Sequence, residues 1–370
     1  MDKLASAKFM MSSTAVSIAA VSLLSFVSQI PSPQPGRTVT LPCISDYVST
    51  TGDDSALLVE CREDKGKRLV LIDLKTLRSV PMIVTGGILQ VSAAPRGRVV
   101  AVRTEQNELL IFDDAKRASY QVPFGVHEVW SADGSRLYFD AEIATDITGF
   151  TTLGILDVAR GTILRRRLRE TSEHLEICDR TGHLFADHWR SSGSNNPRWT
   201  DEYDAGGRFV GTATLGLQYF SAGCVYASAF PSNHGPDSFS IYETRTGAVL
   251  KTFPFDFDER VDNAWGLEWN PVVPRLALLY RTPKGGGPEN AEVWDMNIMK
   301  PLLTLPLTVR PIDSLVPSAW ALWSQDGRNL IIVDGAEARF YPVPRGTPAR
   351  APSAFDSSAV PLTVANRRGY

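Results

Sequence analysis

The sequence of 370 residues predicts an all-β fold of repeated four-stranded units, and three observations predict it. A ten-residue phrase recurs: "WSADGSRLYF" starts at Trp130 and "WSQDGRNLII" at Trp323. The pattern behind it (an apolar stretch, Ser or Pro, a polar turn with Gly, another apolar stretch) returns about seven times at a spacing of roughly 37 to 53 residues, a propeller-like period. No helical period of useful length follows residue 30. A catalytic motif usually occurs once, so a phrase written this often reads as architecture.

The chain opens on "MDKLASAK", followed by an uncharged run from Phe9 to Ile30. About 20 apolar residues cross a bilayer, so residues 1–30 are expected to be a signal peptide or an uncleaved membrane anchor. Lys3 and Lys8 stay inside, and the rest is exported to a periplasmic or extracellular space. Residues 31–36, "PSPQPG", are a Pro-rich spacer.

The repeats follow in order. "DYVSTTGDDSALLVEC" turns at Gly52, "LQVSAAPRGRVVAV" at Gly97, "EVWSADGSRLYFDA" at Gly134 and "LEICDRTGHLFADH" at Gly182. "QYFSAGCVYASAF" turns at Gly223, "LEWNPVVPRLALLY" at Pro271 and Pro274, and "ALWSQDGRNLIIV" at Gly327. Each is a hairpin whose Gly supplies a positive φ at no steric cost. A second hairpin follows each, as in "LVLIDLKTLRSVPMI" and "EVWDMNIMKPLLTLPL". Asp73, Asp113, Asp157, Glu243 and Asp295 stand at its turn to accept backbone N–H groups. The fourth copy, "RWTDEYDAGGRFVG", is the most polar.

Two hairpins per repeat and seven repeats predict a β-propeller of seven four-stranded blades over residues 37–343. The last repeat has only three strands, and "GRTVTLPC" stands alone before the first. Residues around 37–43 are therefore expected to complete the last blade and leave no open edge in the ring. "AVPLTVAN" near residue 360 is the rival. Residues 344–370, rich in Pro and Arg, read as a mobile tail.

This repeat pattern, with Trp294-Asp295 closing a third strand, resembles the WD-repeat and bacterial WD-like propeller families over roughly residues 37 to 343. The regular Gly-His dipeptide of the strict WD family is absent. The resemblance implies the fold and says little about function.

The net charge of −3 argues against nucleic-acid binding by phosphate neutralisation. There is no G-x-S-x-G, H-E-x-x-H, phosphate-binding loop, G-x-G-x-x-G or calcium loop. No catalytic residue, metal site or cofactor is therefore assigned. His183 and His188 are five residues apart, which on a strand puts them on opposite faces, so they do not share a metal. Asp256, Asp258, Glu259 and Asp262 read as solvated charge between blades. The four cysteines form no CxxC pair. Propeller topology brings Cys178 near Cys224, and Cys43 near Cys61 on the opposite face. Buried free thiols are the preferred reading, with disulfides the alternative in an exported chain.

Loop length is more informative. In a propeller, second-to-third strand loops and between-blade loops share one face. Four of them are long here: "AEIATDITGFT", "HWRSSGSNNPRWT", "FPSNHGPDSF" and "RTPKGGGPENAE". These loops hold Trp189, Arg190, Asn196, Trp199, His234, Asp237, Lys284 and Glu289, the candidate binding residues. The expected function is a monomeric, exported or membrane-tethered, non-catalytic propeller that binds a protein or peptide through this face. The alternative is a hydrolase or lyase acting on a sugar or lactone in the central channel. Two or more carboxylates converging there would favour it.

Overall fold

The computed structural model describes residues 33–63, 66–113, 116–123, 127–143, 150–172, 174–189, 198–213, 219–229, 238–244, 246–254, 267–280, 290–307 and 319–344. The N-terminal apolar run, the tail with "AVPLTVAN" and the 256–262 acidic string lie outside them. The chain divides into Met1–Ser32 and Pro33–Tyr370, and the propeller belongs to the second unit.

Seven four-stranded antiparallel sheets follow one another. After β1 (Arg37–Thr40), the first blade holds β2 (Ser45–Thr50), β3 (Ala56–Glu63), β4 (Gly66–Asp73) and β5 (Ser79–Met82). The second holds β6 (Ile88–Ala93), β7 (Val100–Thr104), β8 (Glu108–Asp113) and β9 (Lys116–Gln121). The third holds β10 (Glu128–Trp130), β11 (Arg136–Ile143), β12 (Phe150–Asp157) and β13 (Thr162–Ser172). The fourth holds β14 (His174–Ile177), β15 (Leu184–Trp189), β16 (Arg198–Tyr203) and β17 (Phe209–Ala213). The fifth holds β18 (Tyr219–Phe220), β19 (Tyr226–Ala229), β20 (Ser238–Glu243) and β21 (Val249–Pro254). The sixth holds β22 (Leu267–Trp269), β23 (Arg275–Tyr280), β24 (Asn290–Asp295) and β25 (Lys300–Pro306). The seventh holds β26 (Trp320–Trp323), β27 (Asn329–Asp334) and β28 (Glu337–Pro342). Its fourth strand is β1, paired antiparallel with β28 from Arg37–Phe340 to Thr40–Glu337. The N-terminal strand therefore closes the ring, as the unpaired "GRTVTLPC" predicts.

Second strands are covered on both sides by neighbouring blades, so they lose alternation and become continuously apolar: β3 is buried from Ala56 to Cys61, and β7 throughout. Outer strands such as β9 are mostly exposed. The buried apolar residues fall into seven clusters, one in each seam between blades. The seam joining the last blade to the first contains Val39, Leu41, Ile331 and Val333 from the last, packed on Leu57, Val59 and Val70.

The recurring phrase is turn chemistry. In the third blade, Asp133 Oδ1 accepts Ser131 Oγ–H at 2.7 Å and the Ser135 N–H at 3.0 Å, while Gly134 takes φ 71°. Asp326 does the same for Ser324 Oγ at 2.7 Å and the Arg328 N–H at 3.0 Å, with Gly327 at φ 69°. These bonds hold the Asp133 carboxyl down at about 2. At the second hairpins, Asp73, Asp157 and Asp295 accept turn N–H groups as expected. In the polar fourth repeat Asp204 fills that role for the Gly206 and Arg208 N–H groups.

Two expectations change. In the first blade the left-handed residue is Asp54 (φ 53°), not Gly52. Gly52 is needed for another reason: a Cβ there would stand 2.2 Å from the Arg96 backbone nitrogen of the next hairpin. The cysteines, preferred as free thiols, form two disulfides, Cys43–Cys61 and Cys178–Cys224, each with Cα atoms 5.6 Å apart. Propeller topology places the members of each pair near one another, as expected, and the packing of neighbouring segments brings both Cα pairs within bridging distance. Both bridges lie in seams. One ties the segment after β1 to the first blade, and the other joins the fourth and fifth blades.

Candidate functional site

The first strands of neighbouring blades approach one another (β2 with β6, β10 with β14, β14 with β18, β22 with β26), which puts them at the hub. Alternation then sorts their side chains. Val91, Leu175 and Trp130 pack into seams. The opposite set, half-buried or exposed, comprises Tyr47, Gln90, Ser92, His174, Glu176, Tyr219 and Glu268. Five of the seven blades carry a polar or aromatic residue two positions before the hairpin, at Ser49, Ser92, Glu176, Tyr219 and Glu268.

Two carboxylates therefore converge on the hub from the fourth and sixth blades. Burial first, and then the charge of Glu176, push Glu268 up to about 8. Glu268 is nonetheless accessible from the hub, so solvent screens part of this effect. Glu176 Oε2 lies 3.4 Å from His174 Nε2. Tyr47 is pushed up to about 12, by burial first and then by the charges of Glu268, Glu128 and Glu60, against a hydrogen bond with Ser49.

Glu128 differs from this pair. It faces the seam to the second blade, where it accepts Ser92 Oγ–H at 2.5 Å, and Ser92 in turn accepts Trp130 Nε1–H at 2.9 Å. Burial raises its pKa. Beside it lies the buried Arg103–Asp140 ion pair. Arg103 also donates to the Pro123 and Asp140 carbonyls at 3.0 Å, and Asp140 accepts the His127 N–H at 3.1 Å. Among the described residues, Gln90 Oε1 and Glu128 Oε2 are buried acceptors that receive no hydrogen bond. With Glu176 and Glu268 facing it and Gln90 beside them, the hub carries acidic and acceptor groups.

Strand direction fixes which end of the hub opens where. First strands run from the between-blade connections to the first hairpins, so Glu128, His174 and Tyr219 begin their strands on the between-blade face. The rings of His174 and Tyr219 are 5.1 Å apart there. Five long connections leave and re-enter the blades on this same face: β15 to β16, β19 to β20, β23 to β24, β21 to β22 and β25 to β26. The β11 to β12 connection, expected to be long, spans only residues 144–149, because β11 and β12 take up the rest of that stretch. The long connections begin with the fourth blade.

Of the eight candidate binding residues, two fall in strands that flank a long connection. Trp189 ends β15, its backbone opposite Arg198. Trp199 sits in β16, half-buried, its ring stacked on His188 at 5.5 Å. Arg190, Asn196, His234, Asp237, Lys284 and Glu289 lie outside the described residues. The histidines each meet a different carboxylate: His183 Nδ1 lies 2.6 Å from Glu202, and His188 Nε2 3.3 Å from Asp201. Burial raises Asp201, but hydrogen bonds with His188 and Thr212 outweigh it and hold the carboxyl low. Among the described residues the one grouping with metal-ligand spacing is Cys178, Asp179 and Cys224, and there the two sulfurs are joined.

Reading the sequence for catalytic phrases missed the hub glutamates, because no two of them are neighbours in the chain. The available signal was positional. Glu176 and Glu268 occupy the same place in the repeat, two positions before the first hairpin, and are the two carboxylates found there.

No protein-family profile matches the chain, and no curated protein sequence matches it. Among solved structures it is similar to Kuenenia stuttgartiensis hydrazine synthase, at 15% identity and a TM-score of 0.56, over 82% of this chain and 96% of that one. It is also similar to a chain of a mitotic checkpoint complex, at 14% identity and a TM-score of 0.53, over 90% of this chain and 99% of that one. At these identities the likeness is one of fold. Together with the seven closed blades, it supports a seven-bladed propeller fold.

Proposed function

We propose that this chain is an exported or membrane-tethered, monomeric propeller that binds a protein or peptide partner without chemistry. The partner sits on the face of the long connections and reaches a donor group, such as a lysine or arginine side chain, into the acidic hub. The observation that carries this reading is that the strand ends joined by the five long connections all lie on one face of the ring, around the mouth of that hub. Two disulfides in one chain are in keeping with an oxidising compartment. One of the similar structures is a chain of a mitotic checkpoint complex. Photo-crosslinkers at Trp199 and at Arg98, on opposite faces, test the reading in cells. Crosslinks to one defined partner from Trp199 alone are expected, and equal yield from Arg98 would overturn it. Cell fractionation with protease protection tests export.

The convergence of Glu176 and Glu268 favours a second reading, a hydrolase or lyase in the channel. A carboxyl whose pKa is raised, placed near a second carboxyl, is an arrangement that general acid–base chemistry uses. A panel of ester, lactone and glycoside substrates, turned over by the natural chain and not by Glu268→Gln, would establish it.

A further inference from the structure

Among the outer strands, β13 stands apart. Most others carry a feature that blocks the addition of a further strand. Pro81 lies in β5, Pro254 ends β21, and Pro301 and Pro306 lie in β25. Proline offers no N–H to a ladder. At β17 the register breaks opposite Glu202 and Tyr203. By contrast β13 has 11 residues, "TILRRRLRETS", with neither Pro nor Gly. It pairs regularly with β12 from Thr162 to Arg167, the register shifting only beyond that stretch, between Thr152 and Phe150, and among the described residues no strand pairs with its other edge.

Its arginines divide into two pairs. Arg166 donates to the Gly206 carbonyl of the fourth blade at 3.2 Å, and Arg169 stacks over Phe209 at 4.2 Å. Those two serve the seam. Arg165 and Arg167 are exposed and, among the described residues, have no ion-pair partner. Ile163 packs towards the second blade, so alternation places Arg165 and Arg167 on that same face of the strand. Their cross-strand neighbours, Gly154 and Thr152, cannot neutralise them.

We propose that the outer edge of β13 is a docking site for an extended acidic segment of a partner protein, added as a fifth strand to the third blade. Residues two apart on a strand project on one face roughly 6.6 to 6.8 Å apart. Alternate carboxylates of an added strand would therefore meet Arg165 and Arg167 in turn, while the backbone supplies the ladder. A second copy of this chain is disfavoured, because edge-to-edge pairing would set these arginines against their own kind. The site lies on the rim and is independent of the long-connection face.

The test uses the full chain and a fluorescent ten-residue peptide alternating glutamate with threonine. Expected are measurable binding by anisotropy, a loss of at least about tenfold for the Arg165→Glu/Arg167→Glu variant, and a change below about twofold for Lys116→Glu/Arg117→Glu on β9. A peptide of the same charge with N-methylated backbone should lose binding to a similar degree. Equal binding of the methylated peptide, or binding of anionic phospholipid vesicles in preference to the peptide, would overturn strand addition in favour of a charge patch. No binding of any probe would leave the arginines as guards against edge aggregation and overturn the proposal. Arg165→Ser/Arg167→Ser, checked by its thermal transition, stands in if charge reversal prevents folding.

Discussion

Asp54, at the tip of the first blade's hairpin, accepts the backbone N–H groups of Gln325 and Asp326 at 2.7 Å each, so the last blade's hairpin hangs on the first. Similar bonds join other tips. Asn270 Nδ2–H donates to the Gly327 carbonyl at 2.8 Å, Asp179 accepts the Gly223 N–H at 2.9 Å, and Arg136 donates to the Ala205 carbonyl at 2.7 Å. Asp54→Ala should destabilise the ring by about 1.5–3 kcal/mol, the range for hydrogen bonds to a charged acceptor. Urea unfolding measures it; an unchanged midpoint would show that the tips are not coupled.

Glu268 gives the hub a pH signature. A carboxyl whose folded pKa is raised holds its proton longer in the folded than in the unfolded state. Its contribution is therefore fully present below the unfolded value and is lost as pH rises through the folded one. With the folded value at about 8 and the ordinary value at 4.5, that window runs from 4.5 to about 8. Glu268→Gln should remove this decline and be more stable than the natural chain above pH 8. Solvent screening in the hub limits the gain to the order of 1 kcal/mol. Parallel pH–stability curves for the two proteins would refute it.

The disulfides close chain separations of 18 and 46 residues. Constraint of the unfolded chain by loops of that length stabilises by about 3 and about 4 kcal/mol. Replacing the Cys178–Cys224 pair with serines should cost more than replacing Cys43–Cys61. The described apolar core in its seam is the smaller of the two, with Cys178, Phe185, Phe220 and Ala227 as its buried members. Thermal unfolding of both double variants decides the order.

Removing one partner of the Arg103–Asp140 pair leaves a charge that is 2% or 1% exposed without its counterpart. Asp140→Ala should cost about 3–5 kcal/mol, and adding Arg103→Met should recover part of it. A double variant no more stable than Asp140→Ala alone would show that Arg103 finds another anion.

The sequence contains the blade count and the closing strand because both rest on local rules. Gly134 and Gly327 sit where a tight turn needs positive φ, and Asp133 and Asp326 sit where a turn needs an acceptor. What the sequence conceals depends on how blades meet. The closing of the Cys178–Cys224 bond, whose proximity the blade topology did show, the charge of Glu176 felt at Glu268, and the demand of Arg96 on Gly52 all join residues of different repeats. No spacing rule within a repeat encodes them. Trp199 illustrates the same limit. Placed in a long loop by the sequence, it belongs to β16, because its register opposite His188 extends the ladder.

The closing strand also sets an order of events for the nascent chain. β1 is made early, yet its partner β28 is made near the end, and about 300 residues separate Arg37 from Phe340. Until β28 is made, the first strand has nothing to latch onto, and the growing array carries two raw ends. The latch can be thrown only when synthesis is nearly finished, so the ring should acquire resistance to proteolysis late and all at once. A chain truncated before the seventh blade would keep both ends open and should be the form that aggregates.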